Sequence, residues 1–267
     1  MGEPSARITD RDLKLLAFMA EHRLILADHM RALLGVSRSV AHRRLHALSE
    51  LGMVGQQRLF HAQPGAYRIT RRGLAAIDSS LPPPRVDWRS YAHDLGLAWL
   101  WLAAQRGELG ELKDVISERR LRSHDGTARG GEDVLGVRLG GYGPNGKPRL
   151  HYPDLVLIDP SGRRIAVELE LSCKGRTRRE RILGGYASDP RIDAVLYLAD
   201  KPHVARAIRD SARRLDASAR IYVRPVRWAD GRAPDAAGRG LDRRRGSKPG
   251  RGERSGTARP ATEAERG

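Results

Sequence analysis

A chain of 267 residues is long enough for one large domain or two ordinary ones, and 40% hydrophobic residues suffice for a packed core. The formal net charge of +17 favours a polyanionic partner, either nucleic acid or an anionic membrane. The single cysteine, Cys173, excludes an internal disulfide and a cysteine zinc cluster; it is expected to be a small buried hydrophobe in a reducing cytoplasm. Met1 to Asp12 is polar, without the apolar core of a signal peptide, and the longest apolar run, Leu95 to Ala104, is too short to span a bilayer. Nucleic acid is therefore the expected partner, with no membrane. From Asp230 to Gly267 the chain holds ten Lys/Arg and six Asp/Glu, so most of the positive charge lies ahead of that segment.

Thr9-Asp10-Arg11-Asp12 reads as a helix start, with Thr9 or Asp10 as cap and Leu13, Leu16, Ala17 and Ala20 at helical spacing. Leu24 to Leu34 is predicted as a second helix. Ser37 caps a third, running to about Leu51, with Val40, Leu45, Leu48 and Leu51 inward and Gly52 as its stop. Two short strands follow around His61-Ala62-Gln63-Pro64-Gly65, then a helix from Thr70. This order, over roughly Ile8 to Ile77, resembles the winged helix-turn-helix domain of bacterial regulators of the multiple-antibiotic-resistance type. The resemblance implies a third helix in the major groove and a wing on the adjacent backbone. Arg38, Ser39, His42, Arg43 and His46 would then reach bases or phosphates, with Arg58, His61, Arg68, Arg71 and Arg72 on or beside the wing. The alternative is a winged helix used for protein interaction, its basic face merely solvated. His22, His29, His42 and His46 lack metal-ligand spacing.

Residues 8–78 thus form a predicted first domain, and Ser79 to Asp87, with Pro82-Pro83-Pro84, a stiff linker. Residues 88–228 form the second. Trp88 to Arg106 reads as a helix with Trp99 and Trp101 in its core, and His93 and Asp94 near its start. Asp114 to Arg122, with Glu118, reads as a strand, and Ser123 to Gly146 as a long Gly-rich loop. Gly140-Gly141-Tyr142-Gly143 lacks the Gly-Lys-Ser/Thr of a P-loop. Tyr152 to Asp159 and Arg164 to Ser172 are strands joined by Pro160-Ser161-Gly162. On the second, Glu168 and Glu170 share a face, with Asp154 on the neighbour. Three carboxylates so placed suit a hard divalent cation; the alternative is the exposed polar face of a half-buried hairpin. A helix (Arg176 to Ala187), a strand (Ile192 to Leu198), a helix (Lys201 to Leu215) and a strand (Ile221 to Val226) complete an α/β, overall α+β, pattern. Residues 229–267 are expected to be a disordered basic tail.

Pro153-Asp154, a gap, then Glu168-Leu169-Glu170 resembles the PD-(D/E)xK nuclease superfamily, with Glu170 where Lys is usual; the element order resembles the restriction-endonuclease-like fold. The whole arrangement, a winged helix, His93-Asp94-Leu95, Pro-Asp, Glu-x-Glu and a basic helix ending in Tyr186, resembles the replication-relaxation family of bacterial plasmids and integrated elements. These resemblances imply Asp154, Glu168 and Glu170 as ligands of Mg²⁺, with Mn²⁺ as substitute, and a catalytic role for Lys174 in place of the missing lysine. Glu118 or His93 would complete the shell. Arg176, Arg178 and Arg179, with Lys174 and Arg181, would clamp phosphates, unless they are simply a solvated helix face. Three functions stay open: a DNA-binding protein of a mobile element, an active metal-dependent endonuclease, and a scaffold among replication or conjugation proteins.

Overall fold

The computed structural model describes residues 7–58, 64–127, 134–143 and 146–226. Asp10–Glu21 (α1), Ala27–Leu34 (α2) and Arg38–Glu50 (α3) open the chain. The Thr9 backbone N–H and hydroxyl both donate to Asp12, at 2.7 and 2.6 Å, which fixes the start of α1. Gly35, with φ 65°, ends α2, and Ser37 Oγ accepts from the Val40 N–H at 3.4 Å to start α3. Strands Val54–Gln57 (β1) and Ala66–Ile69 (β2) pair antiparallel, and Arg71–Ala75 (α4) follows, capped by Thr70. Leu15, Leu16, Met19, Met30, Ala41, Leu45, Leu48 and Ile69 share one core.

Two details of this unit depart from expectation. Leu24 to Leu26 is extended rather than helical, because Ile25 exchanges two 2.8 Å backbone hydrogen bonds with Tyr67 at the edge of the hairpin. Val40 is 36% exposed; Ala41, in phase with Leu45 and Leu48, takes the inward position.

After the prolines, Asp87 caps a single 3-10 turn, Trp88–Ser90, that runs into Tyr91–Gln105 (α5). This helix is apolar on several sides because it serves two cores. Ala98 and Leu102 pack with the N-terminal helices, while Leu97, Leu100 and Ala104 pack on a sheet. Asp114–Ser117 (β3) leads into Glu118–Thr127 (α6), and Val137–Tyr142 (β4) pairs antiparallel with Pro148–His151 (β5). Then come Leu155–Ile158 (β6), Arg164–Glu170 (β7), Arg176–Ser188 (α7), Ala194–Ala199 (β8), Pro202–Arg214 (α8) and Ile221–Pro225 (β9).

The five-stranded sheet has the order β3-β6-β7-β8-β9. Its β3-β6-β7 part is antiparallel, while β8 and β9 join in parallel through α7 and α8. The architecture is therefore mixed, as expected. One face packs on α5; the other packs on α7 and α8 through Ile182, Leu183, Tyr186 and Ile208.

The stretch 123–146 contains the end of α6 and all of β4, where an irregular loop was expected. Glu118 opens a helix rather than lying in a strand, because Ser117 Oγ accepts from the Arg120 N–H at 3.2 Å. Gly140 and Gly141, with φ 73° and 68°, break the β4–β5 register and disguise the strand in the sequence. Cys173 is exposed rather than buried, since it sits on the turn after β7. His61 and the expected tail, residues 229–267, lie outside the described residues. Among the described residues no helix is long and apolar enough to cross a membrane.

The proline segment does not hold the halves apart. Arg119 donates to the carbonyls of Ala20 (2.8 Å) and Pro82 (2.6 Å). Glu21, at the end of α1, accepts from Ser117 Oγ and Arg120 Nε, both at 2.7 Å. Arg23 pairs with Glu118 at 2.6 Å and Asp94 at 3.5 Å.

Candidate functional site

Strand β7 lies inside the sheet with both faces covered, so its acidic residues are not the solvated face of a hairpin. Glu168 is 2% exposed, Glu170 6% and Asp154 9%. Alternation sends Val167 and Leu169 toward α5, and Glu168 toward α7, whose Tyr186 hydroxyl donates to Glu168 Oε1. Asp154, just before β6, continues the ladder with its side chain: Oδ2 accepts from the Leu169 N–H at 2.8 Å.

Buried carboxylates need partners, and each has a base beside it. His93, on the first turn of α5, places Nε2 3.1 Å from Asp154 Oδ2. His151, at the end of β5, places Nε2 2.7 Å from Glu168 Oε1. Lys174 returns from the turn after β7 to pair with Glu170 Oε2. Burial pushes the Asp154 carboxyl up, but the His93 ring and the Leu169 N–H outweigh it and hold the carboxyl below its ordinary range. Burial opposes charge on His93, yet Asp154 raises its pKa to about 9. His151 is likewise raised, by Glu168 against burial, and Lys174 by Glu168 and Glu170 against burial. Burial pushes the Glu170 carboxyl up. Burial and the Glu168 charge push the Tyr186 phenol well above its ordinary value, so it stays a donor.

Beneath Asp154 a small cavity is lined by His22, Arg23, Asp94, Ser117 and Glu118 among others. Glu118 is engaged by Arg23 and by Arg122 at 2.7 Å; its backbone N–H donates to the Asp154 carbonyl at 3.1 Å. It therefore supports the Asp154 backbone from below.

Three carboxylates are chemically suited to a hard cation. As arranged, however, the donors do not fit one. One oxygen of each carboxylate is already hydrogen-bonded: Asp154 Oδ2 with His93, Glu168 Oε1 with His151 and Tyr186, and Glu170 Oε2 with Lys174. Among the described residues no group of three or more His, Cys, Asp or Glu is disposed to hold a metal ion. Each carboxylate instead faces a base whose pKa the acidic cluster raises.

The other predicted site residues divide by their partners. Arg38, Ser39, His42, Arg43 and His46 all stand exposed on α3. His46 lies 3.5 Å from Glu50, whereas Arg38 and Arg43 form no ion pair among the described residues. Arg44, one residue on, is locked to Asp12 and the Arg7 carbonyl. Arg58, Arg68, Arg71 and Arg72 are exposed around the hairpin and α4, again with no ion pair among the described residues. On α7, Arg176 pairs with Glu180 at 3.0 Å and Arg178 is exposed. Arg179 corrects the sequence reading. It donates to the Lys174 carbonyl (2.7 Å) and Ser211 Oγ (2.9 Å), so it fixes the turn that carries Lys174 instead of facing solvent as a phosphate clamp.

Sequence reasoning missed His151, the Tyr186 hydroxyl, Arg23 and the buried position of Asp94. A histidine two residues ahead of Pro153-Asp154 was the available signal for the first. Comparison with protein-family models, curated proteins and solved structures returns no match for this chain.

Proposed function

We propose that this chain binds double-stranded DNA through its N-terminal unit, acting as a winged helix-turn-helix, and belongs to the replication or mobilisation machinery of a bacterial mobile element. The second half is then a nuclease-like α/β unit. The observation that carries the reading is the set of exposed arginines without carboxylate partners among the described residues: Arg38 and Arg43 on α3, and Arg58, Arg68, Arg71 and Arg72 around the hairpin. In the same unit Arg44 and Arg31 are paired with Asp12 and Asp28, whereas the α3 and hairpin arginines, like Arg11 and Lys14 on α1, are exposed with no ion pair among the described residues. In this reading α3 enters the major groove, where Arg38 and Arg43 meet guanine edges or phosphates, and the hairpin arginines meet the flanking backbone. Binding of labelled duplex DNA, wild type against Arg43→Ala, is the test. Loss of about tenfold in the variant is expected; no duplex binding by wild type would leave a scaffold among replication or conjugation proteins.

The buried cluster favours a second reading, hydrolysis of DNA. Asp154, Glu168 and Glu170 are all buried along β7 and the head of β6, and Lys174 pairs with Glu170, an arrangement costly to bury without use. Mg²⁺, or Mn²⁺ in its place, would have to take Asp154 and Glu168 from His93 and His151. Nicking of supercoiled plasmid with either ion by wild type, and not by Asp154→Ala or Glu168→Ala, would establish this reading. Intact plasmid with all three would leave DNA binding alone.

A further inference from the structure

Trp88 is 61% exposed, while Trp99 and Trp101 pack partly buried against the cores. The Trp88 ring has the Arg89 guanidinium 5.3 Å from its centroid, and Arg85 is exposed nearby in the chain. Arg85 and Arg89 form no ion pair among the described residues. An exposed indole with one guanidinium beside it and a second exposed arginine three residues earlier, in a chain of charge +17, is complementary to a partner that is both aromatic and anionic.

The location narrows the partner. Tyr91 and Leu95, just beyond the 3-10 turn, pack with Leu24, Leu26 and Ala66, so this segment sits against the base of the hairpin. On its other side, His93 reaches Asp154. From Trp88 to His93 the backbone rises about 9 Å along the helix axis. That is the length of about three stacked nucleotides at roughly 3.4 Å each. The 3-10 turn that carries Trp88 thus leads directly into the stretch Tyr91 to Leu95, which touches both the unit proposed to bind duplex and the carboxylate cluster. In duplex DNA the base faces are stacked on one another, and a protein ring reaches one only at the cost of unstacking a step; an unpaired strand offers its base faces without that cost.

We propose that Trp88, with Arg85 and Arg89 on the backbone, is a stacking platform for an unpaired base, making DNA with a single-stranded segment beside a duplex the preferred ligand. The inference rests on the DNA-binding reading above and adds the substrate class. Its test uses the full chain and two labelled probes, a perfect duplex and the same duplex ending in a non-complementary fork. Wild type should bind the fork about tenfold more tightly, the worth of one base–aromatic stack. Trp88→Ala should abolish that preference and leave duplex affinity unchanged; Trp88→Phe should retain most of it. Equal binding of the two probes by wild type, or equal weakening of both by Trp88→Ala, would overturn the platform. Absence of binding to either probe would overturn the DNA-binding reading and the platform together. Fork binding alone, lost in Trp88→Ala, would support the platform while removing duplex recognition.

Discussion

Lys174 and Glu170 show how single residues hold the buried cluster together. Glu170 is raised by burial, so its charge depends on the ammonium four residues on. Lys174→Met leaves that carboxylate buried and unpaired, and should lower the unfolding free energy by about 2–3 kcal/mol. Adding Glu170→Gln should recover much of the loss, and chemical denaturation of the double-mutant cycle reads the coupling. His29 gives a pH prediction. It is fully buried, accepts from the Leu26 N–H at 2.9 Å and donates Nε2–H to the Leu95 carbonyl at 3.2 Å, and burial lowers its pKa from 6.5 to about 4. Between those values the unfolded chain binds the proton and the folded chain does not, so this contribution falls as pH drops from 6.5 toward 4. The stability difference between wild type and His29→Gln should shrink by on the order of 3 kcal/mol across that window and stay level above it. His93 works in the opposite direction. Its folded pKa of about 9 gives stability that is complete below 6.5 and is lost as pH rises through 9.

Among the elements, α4 has the tightest constraint. A Cβ on Gly73 would lie 2.3 Å from the Met53 carbonyl oxygen and 2.8 Å from Ile69 Cγ1, so Gly73→Ala should cost about 2–3 kcal/mol by thermal or denaturant unfolding. How far each element could be read in advance follows from its chemistry. Helix α3 was legible because Ser37, Gly35 and Gly52 mark its ends and Leu45 and Leu48 its buried side. Strands β6 and β7 were legible because their apolar runs flank a Pro-Ser-Gly turn. Strand β4 was not, since Gly140 and Gly141 erase both alternation and β propensity, and the position of His151 was hidden with it. That Glu168 and Glu170 share one face of β7, with Asp154 at the head of the neighbouring β6, could be read from alternation. Of the partners, Lys174 and His93 were already candidates for this site, whereas His151 was not, because it arrives on β5, beyond the glycines that disguise its neighbour β4.

At the scale of the molecule, α5 ties the halves into one body. Ala98 and Leu102 serve the N-terminal core while Leu97 and Leu100 serve the sheet, and Arg23 spans from the end of α1 to Asp94 and Glu118. Burial already pushes the Asp94 carboxyl up to about 6. Far-ultraviolet circular dichroism and tryptophan fluorescence should therefore report one coincident unfolding transition. Arg23→Met should lower its midpoint while preserving coincidence; two separate transitions in wild type would contradict a shared core. The same rigidity would fix the distance between the proposed DNA-reading helix and the carboxylate cluster.

The central claim, duplex binding by the N-terminal arginines, is tested most directly by the salt dependence of affinity for duplex DNA. If Arg38, Arg43, Arg58, Arg68, Arg71 and Arg72 each meet a phosphate, log K should fall against log salt with a slope of about −5, and Arg43→Ala should make it shallower by about 1. A slope near zero, or one unchanged in Arg43→Ala, would contradict the account.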